Sequence, residues 1–145
     1  MSQADACTPG TLGGQLRVSM NRVSRRLRAQ RGEADLSEGQ FAVLTAINRH
    51  GPMTPGVLAE HENIRPPSMT RTVNALVELG LVAKAGDATD KRLVVVELTD
   101  VGRNEIKVTK RRRDAWLTKK LGQLTPEERQ TLADASELLT RIASQ

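Results

Sequence analysis

The stretch "PPSMTRTVNALVELGLVAKAGDATDKRLVVVELTDVG", residues 66–102, decides the fold. Proline is tolerated only in the first turn of a helix, so the leading pair predicts a helix that starts at Pro66 and ends before Gly80. Apolar residues at helical spacing predict its buried side: Met69, Val73, Leu76, Val77 and Leu79. Residues 81–85 and 93–98 then favour strands, because the second contains three consecutive valines. The turn-rich "GDATDKR" between them predicts a β-hairpin with an extended loop.

Two helices are predicted on the N-terminal side of this stretch. Ser37 with Gln40 forms a capping-box pattern before one helix, and Gly51 follows its apolar positions. Thr54-Pro55 predicts the start of a shorter helix that ends near Glu62. A tight connection of three residues, 63–65, leads back to Pro66. A helix, a short helix, a turn and a helix have the spacing of a helix-turn-helix.

Longer helices are predicted toward both chain ends. One apolar stripe runs from Leu12 to Leu27 and should end at Gly32, with a loose tail over residues 1–10 closed by the breaker Pro9-Gly10. Another long helix should start at Thr99-Asp100 and reach about Leu121. The cap "TPEE" at residues 125–128 predicts the last helix.

Composition limits the classes of function. The 145 residues suit one domain, and a hydrophobic content of 38% argues against a disordered chain. Phe41 and Trp116 are the only aromatic residues, which nearly excludes stacking on single-stranded bases. Cys7 stands alone, so no disulfide forms within the chain. No apolar run is long enough to span a membrane and no secretory signal is visible, so we expect a cytoplasmic protein.

The charge of the chain favours a polyanionic binding partner, and the absence of catalytic motifs argues against an enzyme. The chain carries 22 basic and 17 acidic residues, a net charge of +5. Between Gly51 and Leu98, however, five basic and six acidic residues give a net charge of −1. The two histidines, His50 and His61, have no metal-site spacing, and neither a phosphate-binding glycine loop nor a nucleophile pattern is present. We therefore expect no catalytic residues, no metal and no cofactor.

The order of elements and the amino-acid sequences of several segments resemble those of the MarR family of winged helix-turn-helix transcriptional regulators. "SEGQFAVLTAI" is similar to the family's second helix, and residues 66–102 are similar to its recognition helix, wing and return strand. The resemblance covers residues 12–143. It implies a mainly α fold with a small β-hairpin wing (α+β). It also implies a flexible tail at 1–10, a dimerisation region at 11–35 and 99–145, and a DNA-binding winged helix-turn-helix at 36–98.

The wing resembles the family pattern Asp-x-Arg-Asp-x-Arg, here Asp87-Ala88-Thr89-Asp90-Lys91-Arg92, with Thr89 in place of the first arginine. We assign Arg92 as the residue that enters the minor groove, with Lys91 beside it. A neighbouring carboxylate can orient a guanidinium in advance, so Asp90 and Asp87 should brace the loop. An ordinary solvated turn is the alternative for "TDKR".

Candidate contacts on the recognition helix lie near its start, since that end enters the major groove. These residues are Arg65, Pro66, Pro67, Ser68, Thr70, Arg71 and Asn74. Arg71 could make a paired contact to guanine, and Asn74 could bond a phosphate or an adenine.

The terminal helices carry apolar stripes that a single chain would leave exposed. The resemblance implies that they join two subunits, so that two recognition helices meet a palindromic operator with half-sites about 10 base pairs apart. It further implies repression that is released by a small anionic or aromatic effector. The matching effector positions are Arg17, Met20, Asn21, Phe41 and Trp116, for which a role in the core is an equally good explanation.

Two other functions remain open at this stage. A winged-helix domain that contacts only proteins would fit the net charge of −1, and a sequence-indifferent architectural DNA-binding protein would fit the basic flanks. The run "KRRRD" at residues 110–114 is interpreted as a solvated helix face, with a supplementary contact to the DNA backbone as the alternative.

Overall fold

The computed structural model describes residues 2–90 and 92–145. The elements in chain order are α1 (Gln3–Ala6), α2 (Pro9–Arg28), α3 (Glu38–His50), α4 (Pro55–His61), α5 (Pro66–Glu78), β1 (Val82–Gly86), β2 (Val94–Leu98), α6 (Asp100–Leu121) and α7 (Pro126–Ala143). The two strands form an antiparallel hairpin. The predicted fold class, mainly α with a small hairpin, is confirmed.

Local capping sets most of the helix starts. The Ser37 hydroxyl accepts from the Gln40 N–H at 3.2 Å, and the Gln40 side chain accepts from the Ser37 N–H at 2.9 Å. Thr54 caps α4, and Thr125 with Glu128 forms a second capping box before α7. These signals act within one turn of chain, which is why the sequence alone predicted them.

The core is shared by α3, α4, α5, the hairpin and the start of α6. Its completely buried leucines, each 0% exposed, are Leu44, Leu58 and Leu76. Val77 and Leu79 were predicted to join the buried side of α5, but 37% and 50% of their surfaces are exposed. Val77 is rotated by about 100° from Leu76 on the helix, and Leu79 lies at the C-cap, so neither continues the buried stripe.

The hairpin starts one residue later than predicted, because the Leu81 N–H is still used to close the turn that follows α5. Gly80 adopts a left-handed φ of 74°, and the Leu81 N–H donates to the Leu76 carbonyl at 3.0 Å. Val82 then pairs with Leu98 and Lys84 pairs with Val96. The turn at Gly80 thereby fixes the direction in which the hairpin leaves α5.

One strand contact was not visible in the sequence. Met53, between α3 and α4, exchanges two backbone hydrogen bonds with Val96, at 3.2 and 2.7 Å. It lies on the far side of β2 from β1 in the backbone pairing. The bridge holds the start of the helix-turn-helix against the wing.

Helix α2 ends at Arg28, four residues before the predicted stop at Gly32. The glycine has a different role, since a Cβ at this position would collide with the carboxylate of Glu105 on α6. The same carboxylate accepts from the Ala34 N–H at 3.2 Å. Glycine is therefore required for close packing between this loop and α6.

The chain termini lack a core of their own. Neither α2 nor α7 contains a buried residue, and large apolar side chains are exposed on both: Leu12, Val18, Met20, Val23, Leu132, Leu138 and Ile142. The expected loose tail differs from the structure, because Gln3–Ala6 form a helical turn and Pro9 occupies the first turn of α2. No helix in the described ranges is both long and apolar enough to cross a bilayer.

Candidate nucleic-acid interface

Helix α5 presents most of the predicted contacts on its outer side. The exposed members are Arg65, Pro66, Pro67, Thr70, Arg71 and Asn74, whereas Ser68 is half-buried. Met69, Val73 and Leu76 hold the opposite side in the core. The Thr70 hydroxyl donates to the Pro66 carbonyl at 3.0 Å, so its oxygen is left free to accept. The residues at 67, 70, 71 and 74 recur at helical spacing and share one exposed stripe.

At the wing, Arg92 and Asp90 form a two-pronged ion pair. Asp90 Oδ1 accepts from Arg92 Nε at 3.1 Å, and Oδ2 accepts from Nη2 at 3.2 Å. The Arg92 side chain is 90% exposed, while that of Asp90 is 35% exposed. The hydrogen bonds from Arg92 hold the pKa of the Asp90 carboxyl below its ordinary value. The guanidinium is therefore oriented by its own loop and still faces solvent.

Asp87 organises the other half of the loop. One of its oxygens accepts from the Thr89 hydroxyl at 2.6 Å, from the Thr89 N–H at 3.1 Å and from the Asp90 N–H at 2.9 Å. The Thr89 hydroxyl is the main cause that lowers the pKa of Asp87. Thr89, which stands where the family pattern has arginine, thus closes the turn. Lys91, the remaining wing residue of the prediction, lies outside the described residues.

A contact between α5 and the wing was missed by the sequence analysis. Lys84 on β1 donates from Nζ to Asn74 Oδ1 at 2.9 Å. The two residues lie ten positions apart, and only the strand register, which pairs Lys84 with Val96, reveals that they meet. The structure therefore joins the recognition helix to the hairpin through a predicted contact residue.

The free cations of this surface are few. Over residues 2–90 and 92–145, Arg65 and Arg71 form no ion pair within 4.0 Å. An open groove of about 740 Å³ borders the α4–α5 connection and includes Arg65 and Pro66 in its wall. The surface offers separate cations on a rigid frame rather than a dense basic patch.

The five predicted effector positions do not enclose a single pocket within one chain. Arg17 borders an open groove of about 610 Å³ along α2, where Met20 and Asn21 are also exposed. Phe41 instead borders a cavity of only about 10 Å³, which could hold little more than one water molecule. Phe41 also packs against the core, as its alternative explanation required.

Both aromatic rings lie under cations. The Arg113 guanidinium lies 4.7 Å from the centre of the Phe41 ring, and the Trp116 ring centre lies 5.5 Å from Arg26 and 5.9 Å from Lys120. Burial, followed by the nearby charge of Arg28, lowers the pKa of Arg113. The "KRRRD" run is thus only partly a solvated face, because Arg113 is half-buried at the junction of α2, α3 and α6.

Metal and catalytic arrangements are not found in the described part of the chain. No three His, Cys, Asp or Glu side chains among these residues lie close enough to share a metal ion. The rings of His50 and His61 are tilted by 56° to each other, with their centres 4.5 Å apart. Cys7 is exposed in the short segment between α1 and α2.

Comparison with known proteins agrees with this geometry. The MarR family model matches residues 36–94. The HTH-type transcriptional regulator MT0903.1 of Mycobacterium tuberculosis is 35% identical over 134 residues, which cover 92% of this chain and 94% of that protein.

Two solved structures extend the likeness across the fold. A putative transcriptional regulator from Pseudomonas aeruginosa has a TM-score of 0.80 and 29% identity, covering 100% of this chain and 99% of that one. A mutant of MepR from S. aureus, bound to an oligodeoxyribonucleotide, has a TM-score of 0.71 and 19% identity over 91% and 98% of the two chains. From these matches, the chain belongs to the MarR family of winged helix-turn-helix transcriptional regulators, which bind DNA and are not enzymes.

Proposed function

We propose that the chain binds a palindromic duplex operator as a homodimer, with α5 in the major groove and the wing in the adjacent minor groove. The observation that carries this proposal is the ion pair at the wing tip, where Asp90 orients a 90% exposed Arg92. A solvated turn would leave a long side chain free to rotate, whereas a pre-oriented guanidinium loses less entropy when it enters a narrow groove. In the solvated-turn alternative the same ion pair would form without touching DNA, and Arg92→Ala would leave binding unchanged.

Sequence preference would come from α5. Arg71 has the free, planar donors that suit the edge of guanine, and its place in the second turn suits a helix whose leading end enters the major groove. Arg65 at the N-cap of α5 and the Thr70 hydroxyl oxygen would contact the DNA close to Arg71. Lys91 stays a proposed phosphate contact of the wing.

Dimerisation supports this mode of binding in two ways. The apolar faces of α2 and α7 are unpartnered in one chain, and a two-fold pairing would cover them. The winged helix-turn-helix has a net charge of −1, so each subunit can neutralise few phosphates. Two linked copies would compensate for weak binding by each one.

Repression and effector release complete the proposal. A dimer on an operator within a promoter would block transcription by occupying the DNA. A small anionic or aromatic effector would act at the level of Arg17, Met20, Asn21, Phe41 and Trp116, between the helical ends and the DNA-binding part. Since Arg17 and Phe41 border two separate hollows among the described residues, a shared pocket would have to be completed by the partner subunit or by movement of α2. A DNA-bound regulator works where the DNA is, so the cytoplasmic location expected from the sequence stays part of the proposal.

Selection from a random duplex library tests the proposal. The wild-type protein should enrich a palindrome, and binding should weaken in both Arg92→Ala and Arg71→Ala. Arg71→Ala should also relax the preference at one base position by about 1–3 kcal/mol, whereas Lys91→Ala should weaken all sequences alike. Lys107→Ala, which removes an exposed cation from α6 outside the proposed contacts, serves as the control.

Three outcomes would count against the proposal. Unchanged binding by both Arg92→Ala and Arg71→Ala would remove these residues from the interface. Binding with a steep salt dependence and no preferred sequence would favour the architectural alternative. A wild-type protein that binds no duplex would favour a module for protein contacts.

A further inference from the structure

The hairpin register brings Lys84 to the recognition helix. Along β1, Lys84 lies on the same face as Val82, which is 2% exposed, and opposite Val96, which is 0% exposed. The lysine therefore leaves the hairpin on its core-facing side, next to α5, although its own side chain stays exposed. Its ammonium reaches Asn74 Oδ1 at 2.9 Å.

This contact determines which end of the Asn74 amide faces outward. An ammonium group can only donate hydrogen bonds, so the atom that it contacts must be the amide oxygen. The Asn74 nitrogen, with two N–H groups, then points away from Lys84. The ammonium keeps two of its three N–H groups after the contact. The pair as a whole offers donors on the exposed stripe of α5.

We propose that Lys84 is a positioning residue that turns Asn74 into a hydrogen-bond donor toward DNA. The pair recognises an acceptor, either a phosphate oxygen or the O6 and N7 atoms of guanine. Amino groups of adenine and cytosine are disfavoured there, because the positive charge beside the amide oxygen repels their N–H groups. The inference rests on the proposed binding of α5 in the major groove and specifies the chemistry of one contact in it.

The pair also connects the two DNA-binding elements mechanically. Helix α5 ends at Glu78 and the wing begins at Val82, so the backbone turn at Gly80 is their first connection. The bridge from Lys84 to Asn74 is a second connection, farther along both elements. A contact at Asn74 is thereby placed in a fixed relation to the wing.

A random duplex library, sequenced after binding, distinguishes the two acceptors. If the acceptor is guanine, Asn74→Ala should relax the preference for guanine at one position about tenfold, and Lys84→Met should admit adenine there. If the acceptor is a phosphate, both variants should weaken all sequences alike, and in Lys84→Met, which removes a cation, the slope of log affinity against log salt should fall by about 1.

Two further variants distinguish the role of the Lys84–Asn74 hydrogen bond from the role of the Asn74 N–H groups as donors to DNA. Asn74→Asp keeps a partner for Lys84 but has no N–H to donate, so it should bind at least as weakly as Asn74→Ala. Lys84→Arg keeps a donor to the amide oxygen and should retain the wild-type base preference. Lys107→Met, on the exposed part of α6 and outside the 110–114 run, controls for the loss of one positive charge. Circular dichroism should show wild-type folding for each variant, since the substituted side chains are exposed.

The double variant Asn74→Ala/Lys84→Met is decisive. If Lys84 acts through Asn74, the double variant should bind as weakly as Asn74→Ala alone, and its base preference should be the same. Independent effects that multiply, or a Lys84→Met variant whose affinity and base preference both match the wild type, would overturn the inference while duplex binding by the wild type stands. Absence of duplex binding by the wild type would instead overturn the proposed function and this inference with it.

Discussion

The winged helix-turn-helix and the two terminal helices are built in opposite ways. From α3 to β2, each helix contributes buried side chains to one core, and Leu44, Leu58 and Leu76 are wholly enclosed. Helices α2 and α7 are longer than α3 to α5, yet contain no buried residue. The difference teaches that regular helix geometry does not require a core within the same chain. The terminal helices leave apolar faces exposed, which the proposed second subunit would cover.

A polar junction links the two regions. The loop between α2 and α3 lies on α6, where Glu105 is 5% exposed and accepts from the Ala34 N–H. Arg112 donates to the Arg31 carbonyl at 2.8 Å. These hydrogen bonds hold the loop between α2 and α3 against α6.

The largest effect is expected from a substitution in the core of the DNA-binding region. Leu58→Ala should lower the free energy of unfolding by about 2–5 kcal/mol, because the side chain is completely buried. Thermal or denaturant unfolding measures it. Val57→Ala is the matched control, since its side chain is 47% exposed and should cost far less. Equal losses from the two variants would contradict the assigned core.

The second effect tests the terminal helices. Leu138→Asp should weaken dimerisation and operator binding on the order of 100-fold, because it places an unpaired charge on the apolar face of α7. Sedimentation across a range of protein concentrations measures the change. Ala133→Asp lies on roughly the opposite side of the helix and should leave association unchanged. A wild-type chain that stays monomeric would refute the proposed pairing.

A smaller loss is expected at the junction. Gly32→Ala should destabilise the protein by about 1–3 kcal/mol, since the added methyl group collides with the buried Glu105 carboxylate. Gly39→Ala meets no atom within 4 Å and should be neutral or stabilising by up to about 1 kcal/mol. Calorimetry would measure the stability of both variants. A Gly32→Ala variant as stable as the wild type would show that the loop can move away from α6.

The wing brace should contribute less than the groove contact itself. Asp90→Ala removes the group that orients Arg92 but leaves the cation, so operator affinity should fall roughly fivefold, about 1 kcal/mol. A larger loss in Arg92→Ala would agree with this order. If Asp90→Ala binds DNA more tightly than the wild type, the carboxylate acts mainly by repelling phosphates.

The smallest effect concerns pH. The folded loop lowers the pKa of Asp87 and of Asp90, so its hydrogen bonds are fully formed above the ordinary aspartate pKa of about 4. They should be lost only as the pH falls below that value, through the lowered pKa of each carboxyl. NMR titration of the Thr89 amide would follow the change, and a transition above the ordinary pKa would contradict the observed bonds.

The sequence by itself determined the features that depend on a few neighbouring residues. The capping box of Ser37 and Gln40, the proline starts at Pro55 and Pro66, and the positive φ at Gly80 are set within one turn of chain. The helical spacing of apolar positions predicted the helices, and the run of valines with the turn-rich loop before it predicted the hairpin. The Asp90–Arg92 pair is equally local, since its members are two residues apart.

Only the tertiary structure decided the contacts between distant segments. The bridge from Met53 to Val96, the fit of Gly32 against Glu105 and the contact of Lys84 with Asn74 each join residues that share no local pattern. Val77 and Leu79 were misassigned to the core for the same reason, because a helical stripe has a width that its packing partners set. Such contacts depend on strand register and helix rotation, which are fixed when the whole core forms and not by any one segment.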